Sequence, residues 1–242
     1  VDIREIQNDI RIKYWEPEIK RNYPNTPIIS LHFRFGDYTQ LQSAHYIQIP
    51  QYYINSLNYL DSQGIDLSTI LYFGEEDDNE IIARYIAEIK KGINKELNFI
   101  NYRDVINTKL TDWEELLLMS CCDHNIISNS TFSWWAAYLN DNPNKIVCYP
   151  SIWFGPDGQH NDTSDIGPTD WKKIQSSSNI TCVTGFWKIN NKHSNSNGDT
   201  YEKWFDNTMR INAPYVICGP KNILETIKKF RSTIATRYIE YN

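Results

Sequence analysis

Between Pro27 and Pro150, short apolar runs of strand length alternate with segments of helical periodicity, and no tight-turn signal joins one run directly to the next. The runs lie at 27–33, 69–73, 97–100, 125–128 and 145–150, and the helical segments between them at 50–62, 79–91, 112–121 and 130–139. Antiparallel neighbours need only a hairpin, whereas parallel strands need a crossover of about a dozen residues or more. The spacing therefore predicts an α/β fold: a doubly wound parallel sheet with helices on both faces. In such sheets ligands bind beyond the carboxyl ends of the strands, where strand order reverses.

Ile3, Ile6 and Ile10 stand at helical spacing before Pro17. Residues 1–26 are read as an amphipathic helix leading into a loop, set apart as the remnant of a preceding domain. Residues 27–176 form the main domain, closed by a loop-rich stretch from 151 to 178 dense in Gly, Pro, Asp and Ser. Periodicity then restarts, with strands expected at 180–187, 215–219 and 237–241 and helices at 201–210 and 221–231. Residues 177–242 are read as a partial second α/β domain.

A formal charge of −6 argues against nucleic acid as a partner, because a polyanion meets net repulsion. The five cysteines include no C-x-x-C pair, so buried thiols in a reducing, cytoplasmic-type compartment are expected rather than a disulfide framework or a zinc site. No apolar run reaches the roughly 20 residues that cross a bilayer, and there is no signal peptide. The first residue is Val, so the chain is read as a cut piece, and missing targeting segments say little about the intact protein.

Two clusters fall at strand ends. The first is His32-Phe33-Arg34-Phe35-Gly36-Asp37-Tyr38. An Arg beside a tight Gly turn is placed to grip a diphosphate, with a planar fork that makes two charge-assisted bonds. It would stabilise charge growing on a diphosphate leaving group. His32 shares its side of the strand. The alternative is an Arg34–Asp37 ion pair beside a satisfied core histidine.

The second cluster is Ser128-Asn129-Ser130-Thr131-Phe132-Ser133, where a buried strand runs into a helix through small polar residues. The first turn of that helix offers unpaired amides and the positive end of the peptide dipole, which suits an anion. Simple capping by Asn129 or Ser130 is compatible with that role. Upstream, Asp112, Glu114 and Glu115 open another helix, and one of these carboxylates could accept from both N1–H and the amine of guanine. For Asp112 and Glu114, a solvated helix charge is the preferred reading.

HFRFGDY at 32–38, LLLMSCCDHNIISNSTFSWWAAYLN at 116–140 and KIVCYPSIWFG at 145–155 together resemble the α-1,2-fucosyltransferases, glycosyltransferase family 11, over roughly residues 27–175. The resemblance implies two facing Rossmann-like domains in the GT-B arrangement. This chain would supply the half that binds a GDP-sugar, with GDP-fucose as donor and a glycan hydroxyl as acceptor. Transfer would proceed with inversion and without a metal or other cofactor. By position, His32 and Arg34 match the donor-binding HxRxGD motif, with Arg34 on the β-phosphate. Asn129, Ser130, Thr131, Phe132 and Ser133 match the phosphate-contacting helix start. Glu115 stands where relatives have an Asp and would hold guanine, and Asp37 takes a supporting or general-base role.

Two departures stand out. Relatives often carry a second Arg where this chain has Phe35, and nothing here matches their Gly-rich GGLGNQ-like opening segment. Most of an acceptor-side domain is therefore expected to be missing. The stretch from Gly185 to Pro220 weakly resembles the start of the HtrL/YibB-like glycosyltransferases, which implies a multi-domain parent. Another nucleotide sugar as donor, or a non-catalytic carbohydrate-binding module on the same scaffold, remain the alternatives.

Overall fold

The structure, a computed structural model, describes residues 2–158 and 160–176, and the backbone of three later strands. The chain divides into two compact units, Val1–Ser176 and Ser177–Asn242.

The first unit begins with helix α1 (Ile3–Ile10), which continues as a wider, π-wound segment over Arg11–Lys20. In chain order there follow β1 (Ile29–His32), α2 (Pro50–Ser62), β2 (Thr69–Phe73), α3 (Asn79–Gly92) and β3 (Asn98–Asn101). Next come the single turn α4 (Tyr102–Val105), α5 (Asp112–Ser120), β4 (His124–Ile126), α6 (Thr131–Leu139), β5 (Val147–Pro150) and β6 (Lys172–Ile174). All six strands are parallel, in the order β3-β2-β1-β4-β5-β6. The chain winds outward from β1 to β3, returns to the centre and winds outward again from β4. The order reverses between β1 and β4, and this Rossmann-like pattern opens a crevice there.

Both faces of the sheet are covered, which is why β1 and β5 are buried along their whole length. With a side-chain period of two, Ile29, Leu31 and Phe33 turn to one layer, with Tyr52, Tyr53 and Leu57 of α2 and Ile82 and Ile89 of α3. Ile28, Leu71 and Phe73 belong to the opposite layer, with Tyr14, Trp15, Leu117, Leu118, Met119 and Ala136. Local chemistry sets the helix starts. Pro50 opens α2, where its fixed φ suits a helix and its missing N–H has no partner to lose. Thr111 and Glu114 form a capping box at α5, the carboxylate of Glu114 accepting from the Thr111 amide at 2.8 Å.

Three features depart from the sequence reading. The first helix does not stop before Pro17 but runs through it to Lys20, the wider turn relieving the clash of the ring with the preceding carbonyl. Residues 1–26 cluster with 27–176 in one unit. Gln7 ties them in, its amide donating to Ser120 Oγ at 2.7 Å and to the Leu139 carbonyl at 3.2 Å. Finally, β6 forms inside the stretch read as loop, pairing only with β5 at the edge of the sheet.

A buried amide network locks the centre of the sheet. Asn125 Nδ2 donates to Ser30 Oγ at 2.7 Å and to the Met119 carbonyl at 3.1 Å. Asn140 Nδ2 in turn donates to Asn125 Oδ1 at 2.8 Å and to the Cys122 carbonyl at 2.7 Å. β1, β4 and the ends of α5 and α6 are thereby joined beside the switch point.

In the second unit, β7 (Cys182–Gly185), β8 (Tyr215–Gly219) and β9 (Thr236–Glu240) form a parallel sheet in that order. The helices expected at 201–210 and 221–231 lie outside the described residues.

Candidate functional site

The first cluster extends from the carboxyl end of β1. His32 is its last residue, buried, with Nδ1 3.0 Å from Ser128 Oγ and its ring 5.6 Å from that of Phe132. Burial, and then the charge of Arg34, push the imidazole from 6.5 down to about 3. His32 is therefore a neutral hydrogen-bonding group across the physiological range.

Arg34 reaches the rim. Its Nη2 donates to Asp37 Oδ1 at 2.6 Å, its Nη1 pairs with Glu75 Oε1, and its guanidinium lies 5.0 Å over the Tyr38 ring. Both arms of the fork are thus held by carboxylates. The ion pair anticipated as the alternative for Arg34 and Asp37 is present, together with a second partner from the end of β2. Gly36, at φ +38, turns the chain below them, and a Cβ there would come within 3.0 Å of the Glu75 carboxylate oxygens. Phe35 is buried against Tyr85 with ring centroids 4.8 Å apart.

The second cluster follows β4. Ser130 is the residue before α6, in extended conformation, and its side chain makes no capping bond. The first helical bond runs from the Trp134 amide to the Ser130 carbonyl at 3.0 Å, so the amides of Thr131, Phe132 and Ser133 precede it. The Ser133 hydroxyl turns inward to the Ser130 carbonyl at 3.3 Å, while Thr131 is exposed. Asn129 is committed elsewhere: its amide nitrogen donates to the carbonyls of Tyr46 and Trp153, both at 2.8 Å, and its oxygen accepts from Gln48 at 3.0 Å. Its side chain pins two loops.

The two clusters meet. His32 touches Ser128 and Phe132, and the Tyr38 hydroxyl donates to the Asn129 carbonyl at 3.2 Å. Tyr38 links the two, with the Arg34 guanidinium over its ring and its hydroxyl on the residue before Ser130. A cation and a helix tip without a side-chain cap are both features suited to an anion.

Glu115 lies further along the strand ends, half-buried in α5. Its Oε1 accepts from the Tyr102 hydroxyl and from Arg103 Nη2, the latter at 3.1 Å. Burial outweighs these partners and raises its pKa above the usual carboxylate value. Glu115 lines a cavity of about 630 Å³ with Glu75, Tyr102, Arg103, Lys109 and Asp112, among others. That volume suits a small ligand. The carboxylates of its wall suit the uncharged end of a nucleotide better than its phosphates. Glu75 lines this cavity and pairs with Arg34, linking the two places. Neither Glu75 nor Arg103 was singled out in the sequence. The available signal was position, since each lies two residues past the end of its strand, β2 and β3.

A protein-family model described as Glycosyl transferase family 11 matches residues 3–174. The chain belongs to glycosyl transferase family 11. The matched stretch includes α1 as well as all six strands of the first sheet. Among curated proteins, an alpha-1,2-colitosyltransferase from Escherichia coli is 31% identical over 176 residues, covering 72% of this chain and 56% of the relative. The O-antigen biosynthesis glycosyltransferase WbnK, also from Escherichia coli, is 32% identical over 170 residues, covering 68% and 50%. The chain thus spans about half the length of these relatives. No helix among the described residues is long and apolar enough to cross a membrane.

The state of His32 gives this family-11 unit a pH signature. Its folded pKa lies below the unfolded value, so its contribution to stability is complete above pH of about 6.5 and falls as pH drops toward about 3. Urea unfolding of the wild type should lose up to about 1.4 kcal/mol per pH unit more than His32→Asn within that window. Parallel pH profiles for the two proteins would contradict a buried neutral His32.

Proposed function

We propose that this chain carries the donor-binding half of a GT-B glycosyltransferase, which moves fucose from GDP-fucose to a glycan hydroxyl with inversion and an α-1,2 linkage. The observation that supports the reading is Tyr38, which lies under the Arg34 guanidinium and donates to the Asn129 carbonyl just before α6, beside the point where strand order reverses. The diphosphate sits there and the nucleoside extends into the cavity beside Glu115. An acceptor hydroxyl attacks the anomeric carbon as the bond from that carbon to the β-phosphate oxygen breaks. Negative charge gathers on the departing GDP, where Arg34 and the amides of Thr131, Phe132 and Ser133 meet it, so no metal is required. Asp37, exposed beside Arg34, is the candidate base for the acceptor proton. A facing domain elsewhere in a longer protein supplies the acceptor site, and the greater length of both relatives supports this.

GDP at about 100 times its dissociation constant should stabilise the chain by roughly 2.7 kcal/mol, or raise Tm by about 5–10 °C. UDP at the same concentration should shift Tm far less. Equal shifts would remove the guanine role of Glu115, and the absence of any nucleotide shift alongside glycan binding would favour a non-catalytic module.

The diphosphate must displace at least one carboxylate from Arg34. Glu75→Gln removes a competing charge, so it should tighten GDP binding by about 2- to 5-fold. Weaker GDP binding in that variant would show that Glu75 supports the donor directly. One relative is named for colitose rather than fucose, and product mass from competing GDP-sugars decides the donor.

A further inference from the structure

We propose that Arg103 is the second half of a base-reading pair, donating to O6 of guanine while Glu115 accepts from N1–H and the exocyclic amine. This rests on the cavity beside Glu115 being the nucleoside pocket of the donor site.

Arg103 stands two residues past the end of β3, where its guanidinium is fixed on three sides. Nη1 donates to the Gly74 carbonyl at 2.7 Å, Nη2 donates to Glu115 Oε1 at 3.1 Å, and the plane lies 4.5 Å over the Tyr102 ring. These bonds use two of the five N–H groups of an Arg. Arg103 and Glu115 both line the cavity, so a rigid donor and a rigid acceptor stand side by side at hydrogen-bond separation.

The edge of guanine presents an acceptor, O6, next to two donors, N1–H and the amine. It can replace the ion pair group for group: O6 takes an Arg103 N–H, and the two donors satisfy the Glu115 oxygens. Bidentate acceptance needs Oε1 as well as Oε2, so the Arg103–Oε1 bond is the one exchanged. Adenine presents the opposite order, a donor at its amine and an acceptor at N1. It would set its amine against the guanidinium and its lone pair against the carboxylate. A partly buried charged pair left facing the wrong polarity discriminates strongly.

The test is calorimetric titration of the 242-residue chain with GDP, ADP and 6-thio-GDP, in which a weakly accepting sulfur replaces O6 while N1–H and the amine remain. Arg103→Ala should reduce the preference for GDP over ADP by about 10- to 100-fold, with ADP affinity not weakened because its amine no longer faces the guanidinium. Wild type should bind 6-thio-GDP about 10-fold more weakly than GDP. Equal weakening of GDP and ADP in Arg103→Ala would make Arg103 a mere support for the Gly74 turn and overturn the proposal. Equal affinity of wild type for GDP and 6-thio-GDP would also overturn it, and that comparison stands even if the variant does not fold. GDP binding with an unchanged base preference removes this inference alone. If wild type does not bind GDP at all, the donor-site reading fails first.

Discussion

Arg34→Ala abolishes the rise in Tm that GDP produces and weakens GDP binding by at least about 100-fold. Each charge-assisted hydrogen bond contributes about 1.5–3 kcal/mol, and the fork of Arg34 can make two to a phosphate, so the loss reaches about 3 kcal/mol or more. A second effect adds to the first. Asp37 and Glu75 lean on Arg34, and without it two carboxylates face the incoming phosphate unneutralised. Arg34→Lys should recover only part of the loss, because an ammonium is a single point charge. Titration with GDP is the check, and affinity within about 10-fold of wild type in Arg34→Ala would exclude Arg34 from the phosphate contact.

Asn125→Ala lowers Tm by about 6–15 °C without touching the donor groups. The side chain is fully buried and serves β1, the last turn of α5 and the end of α6 at once. Truncation leaves the Ser30 hydroxyl and the Met119 carbonyl without this partner in a dry interior. Each unsatisfied group costs about 1–3 kcal/mol, and the lost volume adds to it. At about 2–4 °C per kcal/mol for a chain of this size, a total near 3–4 kcal/mol gives the stated shift. Thermal unfolding followed by circular dichroism measures it, and a change below about 2 °C would show that the network is replaced by water or repacking.

The first five strands were legible because β1, β2 and β5 are buried almost throughout and helices with clear periodicity separate the runs. β2 occupies the residues expected of it, and α2 does too, since Pro50 and the Tyr53-Leu57-Leu60 face mark it locally. β6 was not legible. It is a three-residue edge strand with two exposed lysines, and only its pairing with β5 makes it a strand. Pro17 misled for a related reason: the local rule ends a helix there, while packing of Tyr14, Trp15 and Ile19 into the core holds the helix through it.

At the site, the motifs pointed to Arg34 and the start of α6 because a guanidinium fork and unpaired helix amides both suit anions. The commitment of Asn129 to Tyr46 and Trp153 depends on loops 83 and 24 residues away, which no local pattern records. Glu75 and Arg103 enter through topology. β2 must be laid beside β1, and β3 beside β2, before their trailing residues approach Arg34 and Glu115.

A crystal structure of the chain with GDP tests the central claim most directly. It should show β-phosphate oxygens within about 3.2 Å of both the Arg34 guanidinium and an amide among Thr131, Phe132 and Ser133, with Glu75 or Asp37 displaced from the arginine. GDP bound with its phosphates away from either group, while Arg34 keeps both carboxylates, would contradict it.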